Sequence, residues 1–196
     1  ALYNYADVQG AFPPAYTGDE NGRPLHSWRT LILPYFDQSG AADISTKALY
    51  YKIDLSKPWD QPDNALALAT LVPVYCCPSS PLDTQNTTYL AVMSPEGFFR
   101  TTESRALADV TDGTSQTVMI VEAPPEHAVP WMSPHDISAA KALSITEETP
   151  LNHSSGFHAM YVDGSVNRLS ADAPPEERHR LFTIAAGDNP NAIAEE

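Results

Sequence analysis

The sequence predicts an α+β fold, and three stretches carry that prediction. Ala1 to Val8 reads as the end of a helix, with Leu2, Tyr5 and Val8 on one face and Gly10 placed as its C-cap. Gln116 to Glu122, QTVMIVE, is continuously apolar and β-branched, the pattern of a central strand covered on both sides. Leu151 to Leu169, LNHSSGFHAMYVDGSVNRL, reads as two strands joined at Asp163-Gly164. Asp-Gly supplies the positive φ angles of a two-residue type I′ turn, so the expectation is a tight hairpin. His153 precedes Asp163 with nine residues between them, which sets it at the far end of the incoming strand.

The remaining elements follow in order. Phe12-Pro13-Pro14 stops the first helix, and Thr17 to Pro24 is a turn cluster whose Asp19, Glu20 and Asn21 lack the alternating ligand pattern of an EF-hand. Ser27 to Phe36, SWRTLILPYF, begins with a good N-cap and predicts a short buried helix interrupted at Pro34, with Trp28, Leu31, Ile32 and Tyr35 inward. A second helical stretch covers Ala41 to Tyr51. Asn64 is placed to cap a helix from Ala65 to Thr70, and Leu71 to Cys77 reads as a buried strand. Thr87 to Met93 is a further strand, Ile137 to Leu143 a short helix, and Pro-then-acid character at 174–177 starts a helix from Glu176 to Ala186 that ends at Gly187. Residues 1–187 form one domain and 188–196 a polar tail.

Composition narrows the function classes. With 196 residues, 11 basic against 25 acidic, the formal charge is −14. Such a surface repels phosphate backbones and anionic membranes, so nucleic acid is excluded as a partner and cations are the favoured small ones. No apolar run reaches the roughly 18 residues of a membrane span. The chain opens mid-pattern with ALYNYADV and no initiator Met, the expectation being that an upstream segment was removed. Cys76 and Cys77 are adjacent. A vicinal disulfide would be strained and a metal site would need further soft ligands, so they read as two small buried residues.

The chemistry-bearing residues fall into two sets. Trp59 with Asp60, and Trp131 with His135 and Asp136, fit a sugar-stacking platform beside polar groups, although for Trp59, flanked by prolines, a tryptophan plugging the end of a core under a rigid loop is the commoner arrangement. Asp112, Glu122, His153 and Asp163 are the candidate metal ligands, with Ca²⁺ as the ion that carboxylates and carbonyls would admit and no cofactor otherwise required. Each has a structural alternative. Asp112-Gly113 and Asp163-Gly164 shape turns, and His153 can bond a carbonyl or carboxylate across the sheet. His153 and His158 are five apart, hence on opposite faces of an extended strand, which argues against their sharing a metal unless a bulge intervenes. Acid–base groups exist in Glu122, His135, Asp136, His153, His158 and Asp163, but nucleophile elbow, HExxH, P-loop and dinucleotide fingerprints are all missing, so no enzyme is expected.

Eight short blocks in sequence resemble one family: Asn4-Tyr5, Gly10 to Pro14, Ser27-Trp28-Arg29, Leu33-Pro34-Tyr35, Pro58-Trp59-Asp60, Cys77-Pro78-Ser79, Asp112 to Ser115, and His153 with Asp163-Gly164. Together they are similar to a large group of planctomycete and related bacterial proteins with pseudopilin-like N-termini and a His-x9-Asp-Gly signature. These are domains of unknown function that also carry the label family-10 extracellular solute-binding protein. The resemblance runs to about Gly187, with Cys76 an addition beside the family's cysteine. It implies a type IV pilin-like architecture, in which a truncated N-terminal helix packs on a twisted antiparallel sheet with short helices and long loops. It also implies prepilin-type processing, membrane anchoring only through the missing upstream helix, and a periplasmic or cell-surface location. The partners it implies are other pilin-like subunits or type II secretion components. The expected function is therefore a non-enzymatic structural or assembly role, with a solute- or carbohydrate-binding module as the alternative and a hydrolase as the third reading.

Overall fold

The computed structural model describes residues 1–36, 46–80, 85–154 and 156–186. Helix α1 (Leu2–Gln9) ends at Gly10, whose φ of 82° and N–H bond to the Ala6 carbonyl make the predicted C-cap. Strands β1 (Tyr16–Gly18) and β2 (Pro24–Ser27) pair antiparallel. Ser27 then caps α2 (Trp28–Leu31), its side chain accepting from the Thr30 N–H. Pro34 sits in a tighter 3-10 turn, Leu33–Tyr35, where its missing N–H is harmless. Of the helix predicted over 41–51, α3 (Thr46–Tyr50) is present and 41–45 lie outside the described residues.

Helix α4 (Ala65–Leu68) follows Asn64, but Asn64 does not cap it. Its buried amide instead accepts from the Asp54 N–H and donates to the Asp54 and Pro58 carbonyls, clamping the preceding loop. The strand predicted over 71–77 is a 3-10 turn at Pro73–Tyr75 with extended flanks, because Pro73 cannot donate to a ladder and Tyr75 and Cys76 close back onto Val72 and Pro73.

The main sheet has five strands in the order β7-β4-β5-β8-β9, with β4 (Tyr89–Met93), β5 (Val118–Glu122), β7 (Ile137–Ser138), β8 (Gly156–Tyr161) and β9 (Val166–Ser170). Strands β4, β5, β8 and β9 are antiparallel neighbours, and only the edge strand β7 runs parallel to its partner β4. QTVMIVE is thus the middle strand, as its composition predicts. A small pair, β3 (Asn86–Thr87) with β6 (Val129–Pro130), sits apart. Helix α5 (Ala139–Leu143) follows β7. Helix α6 (Pro175–Arg180) stops short of the predicted Ala186, because residues beyond it are drawn into tertiary bonds. The Leu181 carbonyl accepts from Val118, and that of Ile184 from Thr111 and Asp112.

The hairpin is real but its turn differs from the two-residue expectation. Gly164 N–H bonds the Tyr161 carbonyl while Tyr161 N–H bonds that of Ser165, which defines a three-residue loop with Gly164 at φ 88°. That is the turn-plus-bulge alternative, in which only the last loop position must be left-handed.

Two cores lie on opposite faces of the sheet. Leu2, Phe12, Trp28, Ile32, Ala91, Ile120 and Val162 fill the α1 side. Leu90, Val92, Val118, Val121, Phe157, Ala159 and Tyr161 fill the other, beneath α5. A third cluster gathers Leu33, Leu49, Tyr75 and Trp131. Arg29, wholly buried, is the polar centre of the fold. Its Nε donates to the Trp131 carbonyl, Nη1 to those of Tyr89 and to Asp136 Oδ1 (2.6 Å), and Nη2 to those of Ser133 and His135.

Candidate functional site

Strand alternation sets the site. Glu122, the last residue of β5, shares a face with Ile120 and so looks toward the α1 side. Tyr89 pairs with it across β4, and the register Ile120 with Met160 and Val121 with Ala159 puts His158 directly opposite on β8. Cross-strand neighbours of this kind lie close enough for side chains to meet. His158 Nδ1 is 3.0 Å from Glu122 Oε2.

His153 reaches that same oxygen, with Nε2 at 3.2 Å, while Asn152 Nδ2 donates to Oε1 at 3.0 Å. The two imidazoles therefore converge, with ring centres 4.7 Å apart, where strand alternation had them on opposite faces. The reason is that β8 starts only at Gly156, so His153 lies ahead of the strand and period-two alternation does not govern it. A Cβ at Gly156 would come within 2.3 Å of the Leu169 carbonyl, so a glycine is needed where the chain swings into the strand.

Cys77 arrives from the segment after the Pro73–Tyr75 turn, its Sγ 3.6 Å from His153 Nε2. One donor atom each from Cys77, Glu122 and His153 lies within 4.8 Å of the other two. Burial pushes Glu122 up, but hydrogen bonds from Cys77, His158 and Asn152 and the neighbouring His153 outweigh it and hold the carboxyl below its ordinary value. Burial, reinforced by Glu122, raises the Cys77 thiol. Burial likewise pushes Tyr89 up to about 12.

This wiring does not suit a cysteine nucleophile. An activating histidine presents one nitrogen to the thiol and the other to its carboxylate. Here Nε2 of His153 faces both Glu122 and Cys77, and the thiol is held protonated. Three donors facing one point suit a cation instead. A thiol, an imidazole and a single carboxylate are a poor match for Ca²⁺, which takes six or more oxygens. They fit a borderline transition ion.

The cluster forms the polar end of an apolar groove of about 590 Å³. Among the residues that line it are Ala1, Leu2, Trp28, Val74, Met160 and Val166. Val74 and Val166 are exposed at its edge.

The other sequence-derived candidates sit elsewhere. Asp112 is buried and accepts from Thr183 Oγ1 and the Ala186 N–H, holding the segment after α6. Asp163 is an exposed turn residue bonded to the N–H and hydroxyl of Ser165. Of the four candidate metal ligands the structure brings together Glu122 and His153. Trp131 is buried, Trp59 half-buried on the same cluster, and Asp60 and His135 are exposed. Asp136 is committed to Arg29, the Ala91 N–H and Trp28 Nε1. None of these five lines the groove. Sequence reasoning missed Cys77 and Asn152, because no spacing rule connects residues 77, 122 and 152–158: β5–β8 register brings His158 to Glu122, and the tertiary course of the segments after Tyr75 and before Gly156 brings the rest.

No helix among the described residues is long and apolar enough to cross a membrane. No curated protein and no solved structure matches the chain. A family model does, the one labelled SBP_bac_10 and described as "Protein of unknown function (DUF1559)", over residues 1–150. The match leaves His153 and the Asp163-Gly164 hairpin outside its span. Covering most of the sequence as it does, it shows that the chain belongs to the DUF1559 family of proteins of unknown function.

Proposed function

We propose that the protein is a non-enzymatic, extracytoplasmic pilin-like subunit with a structural or assembly role in a type II secretion or type IV pilus-like system or at the cell surface. The observation that supports this reading is a helix packed on a sheet face of antiparallel neighbours, α1 in one core with β4, β5 and β8. Leu2 is buried in the sheet's core, Tyr3 stacks edge-on to Phe12 at 5.3 Å and its hydroxyl donates to the Val162 carbonyl, while Val8 faces solvent, 69 % exposed. A helix fixed at this point gives an upstream apolar segment a rigid base and leaves its outer face free for a second subunit.

The test is expression of the full-length gene product in a bacterium with a prepilin peptidase. The expected result is a shortened, membrane-associated form that cross-links to itself through V8C. An unprocessed cytosolic product would overturn the reading. A processed product that stays monomeric and retains a bound solute would favour the second reading, a solute-binding module, to which the apolar groove with one polar end lends support.

A further inference from the structure

The donor geometry at the groove's polar end carries a second assignment that does not depend on the pilin-like role. We propose that Cys77, Glu122 and His153 are a three-ligand site for a borderline divalent transition ion, Zn²⁺ foremost, with the fourth position open to the groove.

A tetrahedral zinc with Zn–S of about 2.3 Å and Zn–N and Zn–O of about 2.0–2.1 Å has sulfur–nitrogen edges of about 3.6 Å and nitrogen–oxygen edges of about 3.3 Å. The separations are 3.6 Å for Cys77 Sγ to His153 Nε2 and 3.2 Å for His153 Nε2 to Glu122 Oε2. Two of the three edges are already those the ion would set, and the third, from Cys77 to Glu122, is within 4.8 Å. A single Nε2–H cannot serve both a thiol and a carboxylate well, whereas its lone pair, the thiolate and the carboxylate can all point at one cation.

Outer-shell groups complete the site. Asn152 holds Glu122 Oε1, and His158 supports Oε2 from the neighbouring strand, which orients the carboxylate as ligating carboxylates usually are. On binding, the Cys77 S–H gives its proton to solvent and the thiolate takes up the metal. All three ligands line the groove, so water or a donor atom of a groove-bound solute takes the fourth position.

The test strips the purified protein with EDTA and adds Co²⁺ as a spectroscopic stand-in for zinc. The expected result is a near-ultraviolet thiolate-to-cobalt band that saturates at one equivalent, is bleached by one equivalent of Zn²⁺ and is untouched by equal Ca²⁺. C77S abolishes the band, while C76S, altered at the adjacent cysteine, keeps it. H158Q keeps the band but weakens binding about 10- to 100-fold, the range for losing an outer-shell partner. The proposal is overturned if the unmodified protein gives no thiolate band, which requires no variant to fold, or if C76S rather than C77S removes it.

Discussion

Arg29 and Glu122 are both buried charged groups, yet they are finished differently. Arg29 has five N–H donors and five acceptors, four of them backbone carbonyls and the fifth Asp136. Nothing in that arrangement is left for a ligand. Among the described residues Glu122 is held by side chains, Cys77, His153, His158 and Asn152, and the thiol, the two imidazoles and the carboxylate share the rim of an open groove. Saturation by backbone marks a structural pin. Convergence of titratable side chains beside a cavity marks a site.

Four substitutions sharpen this contrast, in falling order of effect. R29M leaves Asp136 as an uncompensated buried charge and strips partners from four carbonyls, and should cost about 3–5 kcal/mol in denaturant unfolding. A cost below about 1 kcal/mol would mean the pin is dispensable. G156A drives a Cβ toward the Leu169 carbonyl and should cost about 1–3 kcal/mol, the range of an overpacked position. Because that turn carries His153, G156A should also weaken Co²⁺ binding, and unchanged binding would detach the turn from the site.

His26 gives the pH dependence. It is wholly buried, its Nε2 lies 2.8 Å from the Lys57 carbonyl, and its Nδ1 has no hydrogen-bond partner among the described residues. Burial lowers its pKa, so its contribution is fully present above the ordinary value of about 6.5 and is lost as pH falls through the lower folded one. The melting midpoint should fall between pH 7.5 and 5, and H26Q should flatten that limb; an equally steep decline in H26Q would assign it to other groups. V166S, at an exposed groove edge, should change stability by less than about 0.5 kcal/mol. A larger loss would mean that the edge is core.

Much of the fold was legible because it rests on local signals. Gly10 as a cap, Ser27 as an N-cap, the β-branched run 118–122 and the Asp163-Gly164 hairpin are each written within a few residues. Misreadings arose where distant partners decide. Asn64 serves a loop instead of a helix, and residues 181–186 abandon a helical pattern to pair with 111–118. Asp136 sits in a polar, Trp-flanked segment that reads as a ligand site, yet Arg29, over a hundred residues earlier, claims it. The candidate site was half legible. Glu122 and His153 stand out in sequence, but His158 is joined to them by cross-strand register and Cys77 and Asn152 only by the tertiary course of irregular segments.

The measurement that bears most directly on the contrast is thermal unfolding of EDTA-stripped protein with and without Zn²⁺, for the unmodified chain and C77S. At 100-fold above Kd a ligand specific for the native state stabilises by about 2.7 kcal/mol. In a domain of this size that is roughly 5–10 °C of midpoint. The prediction is a rise of that order in the unmodified protein and none in C77S. Equal rises in both, or no rise in either, would contradict a metal site at the end of the groove.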